Sequence, residues 1–265
     1  MPVKPTVLIT GASSGLGSIY ADRFARRGHD LVLAARDEDR LQALASRLRG
    51  EFGVAVGVLK TDLTDNDDLR RLEERARDDE KIGILINNAG AALSGQFVEQ
   101  SIEQVAQLIE LNVAAPARLA SAIAPRLAAQ GSGAIINIGS VVGLAPEMGS
   151  VVYGATKAFI LHFSQALQVQ LGPKGVYVQA VLPAATRTEI WERAGTDVSA
   201  IPGMMDAEEL VDAALVGFDR REPVTIPPLP DDAQWAAFEA ARQAMLPNFR
   251  QVHAAARYQA ADQAA

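Results

Sequence analysis

The sequence contains no cysteine, which excludes disulfides, thiolate-held metals and a cysteine nucleophile together and leaves the redox compartment open. It also lacks any run of Lys and Arg long enough to track a phosphate backbone. With 25 basic against 32 acidic residues the formal charge is −7, so nucleic acid is not an expected partner. Its three histidines, His29, His162 and His253, are dispersed and have no metal-ligand spacing. No stretch of about 18 apolar residues occurs, and Met1 through Lys4 lead into Thr6-Val7-Leu8-Ile9 without an apolar leader and cleavage site. The expectation is a cytoplasmic protein with no membrane partner. What remains is 49% hydrophobic and 22% charged over 265 residues, with 21 Gly and 13 Pro, the composition of a packed chain.

Short apolar runs alternate with helix-length segments: 5–10 then 15–28, 30–35 then 37–49, 53–60 then 65–79, 82–88 then 99–129, 133–139 then 150–172, 176–182 then 206–220. Strands as apolar as Ile84-Leu85-Ile86 and Ala134-Ile135-Ile136 are expected to be buried on both faces. The fold class is therefore α/β, a doubly wound parallel sheet with helices on both sides, whose ligands bind at the carboxyl ends of the strands. Residues 1–228 form the body, and 229–265 form a helical C-terminal extension. In that extension Trp235, Phe238, Ala241 and Met245 share one apolar helix face, interrupted at Pro247, which packs on the body or on a partner subunit.

The first strand runs directly into Thr10-Gly11-Ala12-Ser13-Ser14-Gly15-Leu16-Gly17 and then a helix. Glycines here permit a tight turn and the close approach of a pyrophosphate, whose charge the helix N-terminus favours; Ser13 and Ser14 add hydroxyl donors. An ordinary strand-to-helix turn can carry the same glycines. The second strand ends Ala34-Ala35-Arg36, with no carboxylate where NAD-binding folds place one for the ribose 2′-hydroxyl. Arg36 offers a charge-assisted fork to a 2′-phosphate, which favours NADP over NAD, whereas Asp37 and Glu38 belong to the first turn of the next helix.

Tyr153 and Lys157 stand four apart at the start of the segment 150–172, on one helix face. A phenol ordinarily has a pKa of about 10, and an adjacent ammonium lowers it toward a value useful for proton transfer with an alcohol. In reduction the same phenol donates its proton to a carbonyl oxygen while hydride arrives at carbon, and Lys157 can bind the nicotinamide ribose. A solvent-facing Tyr–Lys pair has the same spacing, so further features must decide. Ser140, in Asn137-Ile138-Gly139-Ser140, places a hydroxyl at the end of a buried strand, where it can bond the reacting oxygen. Asn112, in Leu111-Asn112-Val113, is an amide amid apolar positions and needs partners if buried.

Taken together, the glycine loop, Asn87-Asn88-Ala89-Gly90, Asn112, Ser140, Tyr153 with Lys157, and Pro183 to Thr188 resemble the short-chain dehydrogenase/reductases, over residues 5–226. The resemblance implies a seven-stranded Rossmann-like sheet in the order 3-2-1-4-5-6-7. It implies Tyr153 as general acid/base, Ser140 orienting the substrate oxygen, Lys157 lowering the tyrosine pKa and Asn112 holding a water. Cofactor contacts are implied for Gly11, Ser13, Ser14, Gly15, Leu16 and Gly17, for Asp62 and Leu63 at the adenine, and for Asn88, Ala89 and Gly90 along the cleft. Pro183, Ala184, Thr186 and Thr188 would line the nicotinamide end. Arg36 matches the NADP-preferring members. One departure is Pro183-Ala184 where the family usually has Pro-Gly, and a positive φ at Ala184 would overturn the assignment.

The irregular stretch after Thr188, with Trp191, Gly195, Pro202, Gly203, Met204 and Met205, is the expected specificity loop. Val142, Leu144, Met148, Trp191 and Met204 are its candidate substrate contacts, lining an apolar pocket. The function expected is NADP(H)-linked interconversion of a ketone or aldehyde and an alcohol, by a homodimer or homotetramer. A non-catalytic NADP(H)-binding redox sensor is the alternative. A sugar-nucleotide epimerase or dehydratase would usually need a larger C-terminal domain than 265 residues leave room for.

Overall fold

Five of the seven strands are buried along their whole length: β1 (Thr6–Thr10), β2 (Leu31–Ala35), β4 (Ile82–Asn87), β5 (Ala134–Ile138) and β6 (Tyr177–Val181). Continuous burial is what helices on both faces produce, and it explains why these strands are runs of aliphatic residues without alternation. The other two, β3 (Val56–Lys60) and β7 (Val224–Thr225), close the edges. All pairings are parallel and the order is β3-β2-β1-β4-β5-β6-β7, so the sheet is the Rossmann-like one expected. The structure, a computed structural model, describes residues 4–197, 199, 201 and 203–258; Pro202 and residues 259–265 of the extension lie outside them.

Successive strand residues point to opposite faces, and each face has its own core. Val7, Ile9 and Leu33 pack with Phe24, Leu41 and Leu210, from α1 (Gly15–Arg26), α2 (Glu38–Phe52) and α8 (Ala207–Asp219). Leu8, Val32 and Ile135 pack with Leu72, Leu119 and Leu171, from α3 (Asn66–Asp78), α5 (Ala115–Gln130) and α6 (Val151–Leu171). The starts of α2, α3 and α8 are fixed by Asp37, Asp65 and Asp206, whose carboxylates accept backbone N–H groups of the first turn. α1 differs: Ser14 makes no side-chain cap and its first turn holds no acid.

The segment 99–129, expected as one helix, is broken. It divides into α4 (Ile102–Ile109), a π-helical turn at Glu110–Ala114, and α5. Pro116 has no N–H to donate to the carbonyl of Asn112, so an ordinary α turn cannot close there and the chain widens by one residue. A short helix, α7 (Ile190–Arg193), follows the sixth strand.

The polypeptide divides into Met1–Pro228 and Leu229–Ala265. Among its described residues the second unit holds α9 (Asp232–Ala244), capped by Asp231, a 3₁₀ turn at Leu246–Arg250 that contains Pro247, and another at Ala256–Tyr258. Trp235 and Phe238 stack at 5.3 Å between ring centroids, and Phe238, Met245 and Phe249 are exposed. No helix among the described residues is long and apolar enough to cross a membrane.

Candidate active site

The carboxyl ends of β1, β4, β5 and β6 bring most of the sequence-derived residues to one end of the sheet. At the end of β1, Thr10 is buried and acts as a hub that sequence reading passed over. Its hydroxyl donates to the Ile86 carbonyl at 3.3 Å and accepts from the backbone N–H groups of Asn88 and Ala89 at 3.0 and 3.1 Å. Asn88 completes the tie, its amide donating to the carbonyls of Thr10 and Gly11 at 2.9 and 3.2 Å. Asn88 thus fastens the loop after β4 to the glycine loop, a positioning task.

The glycines are required sterically. Gly11 has φ +65°, and a methyl there would stand 2.8 Å from the Ala89 Cα. A methyl on Gly17 would stand 2.4 Å from the Gly11 carbonyl oxygen, well inside contact distance. The loop therefore closes onto itself at the uncapped start of α1, leaving a cradle of N–H groups with no acid in the helix's first turn. Such a cradle fits the pyrophosphate of a dinucleotide. Leu16 and Ala89 pack against the two cores beneath it.

At the end of β2, Arg36 is exposed and forms no ion pair among the described residues. Asp37 caps α2 and Glu38 lies in its first turn, as the sequence indicated. Across from Arg36, Asp62 accepts from the backbone and side chain of Thr64 at 2.9 and 2.7 Å. Partial burial acts against its carboxylate, but these bonds and Arg36 outweigh it and hold Asp62 below the usual carboxylate range. Leu63 turns its side chain into the core with Leu8 and Val32.

Ser140 follows β5 in extended backbone; its hydroxyl donates to the Pro183 carbonyl at 3.2 Å and lies near enough to the Tyr153 phenol to act on its pKa. The following 3₁₀ turn, Val141–Gly143, lies directly on α6, since a methyl at Gly143 would come within 2.7 Å of the Ala158 nitrogen and the Lys157 carbonyl carbon. That close packing fixes Ser140 against Tyr153 and Lys157. The close approach at Gly143 was concealed by its short apolar surroundings.

Lys157 is buried, donates to the Ile138 carbonyl at 2.8 Å, and sits 5.6 Å from the centroid of the Tyr153 ring. Burial pushes its ammonium down to about 8. Burial also pushes the Tyr153 phenol up to about 12, with the Ser140 hydrogen bond pulling the other way. The direction is opposite to the lowering expected from an adjacent ammonium, because desolvation of the phenolate dominates. Tyr153 is accordingly a neutral phenol at neutral pH.

Asn112 is buried on the π turn. Its amide exchanges two hydrogen bonds with the Ala91 backbone, at 2.9 and 3.0 Å, and donates to Thr156 Oγ1 at 3.1 Å. Thr156 in turn donates to the Tyr153 carbonyl at 2.7 Å. A methyl on Gly90 would stand 3.3 Å from Asn112 Oδ1 and 3.6 Å from Lys157 Nζ, so these two groups flank one short stretch of loop.

After β6, Pro183 is buried and Ala184 avoids the left-handed region, since Arg221 alone among the described non-glycine residues has positive φ. The condition that would have overturned the assignment is absent. Thr186 donates to the Ala184 carbonyl at 2.9 Å, and a methyl on Gly15 would lie 3.5 Å from the side chain of Thr188. Trp191 uses its indole N–H on the Thr186 carbonyl at 2.7 Å, which makes it an anchor of this loop. Val142, Leu144 and Met204 are half-buried and Met148 is exposed.

Residues 5–199 match the family described as short chain dehydrogenase. The chain belongs to that family. Among solved structures, a short-chain dehydrogenase from Sphingobium yanoikuyae in complex with NADPH is 64% identical, with a TM-score of 0.95 over 96% of this chain and 100% of that one. The bulky-bulky ketone specific alcohol dehydrogenase from Comamonas testosteroni is 56% identical, with a TM-score of 0.90 over 97% and 99%. A curated relative, the inactive hydroxysteroid dehydrogenase-like protein 1 of Pongo abelii, is 30% identical over 69% of this chain, which spans only 56% of that protein's length. Within this short-chain dehydrogenase, Thr10, Gly143, Thr156 and the ion pairs of the loop after β6 were not singled out in the sequence. Thr10 carried a readable signal, a hydroxyl ending a buried strand, the same one that marked Ser140.

Proposed function

We propose that this chain is an NADP(H)-dependent oxidoreductase that interconverts a ketone or aldehyde and its alcohol, with Tyr153 as the acid/base. The observation that carries the proposal is the half-buried Tyr153, set beside Ser140 at the carboxyl end of β5 with Lys157 Nζ 5.6 Å from its ring centroid. The bound nicotinamide supplies or accepts the hydride. In reduction, Ser140 orients the carbonyl oxygen and Tyr153 gives it a proton as the new C–H bond forms; alcohol oxidation reverses both transfers. A phenol at about 12 suits the donating role.

An ammonium has three donors, and Lys157 commits one to Ile138, which leaves two for ribose hydroxyls. The glycine cradle holds the pyrophosphate, with Ser13, Ser14 and Leu16 on it. Arg36 takes the 2′-phosphate, and Asp62 to Leu63 with Asn88 to Gly90 border the adenosine and ribose. Asn112 holds Ala91 and Thr156 in place and, in the family's manner, a water. Pro183, Ala184, Thr186 and Thr188 line the cofactor side of the loop. For substrate, kinship with the bulky-bulky ketone enzyme supports a ketone with two large substituents, met by Val142, Leu144, Met148 and Met204. Assembly as a homodimer or homotetramer and a cytoplasmic location complete the reading, and light scattering tests the first.

A relative whose name calls it inactive keeps the non-catalytic NADP(H)-binding sensor as the alternative, but the intact Ser140, Tyr153 and Lys157 arrangement favours catalysis. The test is Tyr153→Phe assayed with a panel of bulky ketones and NADPH or NADH. Turnover should vanish while NADPH binding persists; a variant as active as the wild type overturns the proposal.

A further inference from the structure

The loop after β6 carries an ion-pair chain that the proposed reaction does not use. Glu189 accepts two bonds from Arg40, both at 2.9 Å, and one from Arg193 at 2.7 Å. Arg193 also donates to the Ser14 hydroxyl at 3.1 Å, which brings its guanidinium to the start of α1. Arg40 lies in the first turn of α2.

Arg193 is electrostatically misplaced, whereas Arg40 has Asp37 3.4 Å away and two further acids in its own helix turn. A helix N-terminus carries partial positive charge and favours anions, yet each of these termini has a guanidinium beside it. For α1 the mismatch is sharper, because its first turn has no acid and no side-chain cap. Glu189 bonds both cations at once, and for Arg193 it is the paired carboxylate. The segment also lies over the glycine loop, with Thr188 in contact range of Gly15.

We propose that Glu189 is a built-in stand-in for cofactor phosphate, holding Arg40 and Arg193, which the nucleotide's phosphates take over on binding. Arg193 then serves the pyrophosphate at the start of α1, and Arg40 joins Arg36 at the 2′-phosphate. Glu189 competes with the nucleotide and sets its affinity. This inference rests on the NADP reading above.

The experiment is calorimetric titration of wild type, Glu189→Gln, Arg193→Ala and Arg40→Ala with NADPH and with NADH. Glu189→Gln should bind NADPH several-fold more tightly, since the competing charge is gone and the side chain keeps its shape. Arg193→Ala should lose about tenfold for both nucleotides, which share the pyrophosphate, and Arg40→Ala should lose more for NADPH than for NADH. A latch with only a structural role gives the opposite sign for Glu189→Gln, weaker or unchanged binding, and that result overturns the inference. Wild type that binds neither nucleotide would instead remove the NADP reading, and the inference with it.

Discussion

Lys157→Met separates the cost of a buried charge from its use. In the folded chain the ammonium falls from its ordinary 10.5 to about 8, which corresponds to about 3 kcal/mol against the charged form. Between those values the unfolded chain keeps its proton while the folded chain has released it. The unfolded state therefore binds more protons, and wild-type stability rises with pH in that window by up to about 1.4 kcal/mol per pH unit. The benefit is present above pH 10.5 and lost as pH falls through about 8. Met has no proton to release, so its contribution is flat.

Urea unfolding of both proteins at pH 7, 8, 9 and 10 reads the difference directly. Wild type should gain about 2 to 3 kcal/mol on the variant between pH 7 and pH 10. Changes in packing introduced by Met are the same at each pH and cancel, as does Tyr153, which titrates in both proteins. A difference that stays flat across this range would refute a buried, desolvated Lys157. Turnover should be lost in the variant at every pH.

Gly17→Ala forces a methyl to 2.4 Å from the Gly11 carbonyl oxygen, so it should cost about 1–3 kcal/mol in urea unfolding and weaken dinucleotide binding measured by fluorescence titration. Arg36→Ala removes an exposed guanidinium that forms no ion pair among the described residues. It should weaken NADPH by roughly tenfold or more and leave NADH unchanged in the same titration. Ala184→Gly restores the family's usual residue where φ is not positive; it should cost about 0.4–1 kcal/mol through the freer unfolded chain, with steady-state activity retained.

The sheet was readable because its strands are uninterrupted aliphatic runs at regular spacing, a pattern that double-sided burial imposes. Ser140, Tyr153 and Lys157 were readable because hydroxyl, phenol and amine stood where a parallel sheet gathers ligands. The break at Asn112 was less visible: its cause lies four residues away, in the missing N–H of Pro116, and apolar periodicity continues across it. The raised phenol pKa could not be read from spacing at all, because helical neighbours report proximity and say nothing of how deeply a ring is buried. Trp191 stood as a substrate contact by composition, and its indole bond to Thr186, which ties it to the loop, could not be read from composition. The Arg40–Glu189 ion pair joins residues 149 positions apart and leaves no local trace.

The π turn at Glu110–Ala114 has a consequence for how this chain tolerates loss of length. It holds one residue more than an α turn, so deletion of Leu111 can be absorbed by reverting the turn to α geometry, with the buried face of α5 still directed at the sheet. The same deletion anywhere within α5 would swing that face by about 100° and expose Leu119, Ile123 or Leu127. The fold can therefore shed this residue while the clasp between Asn112 and Ala91 cannot, which makes the widened turn a place where architecture and activity can be separated by a single codon.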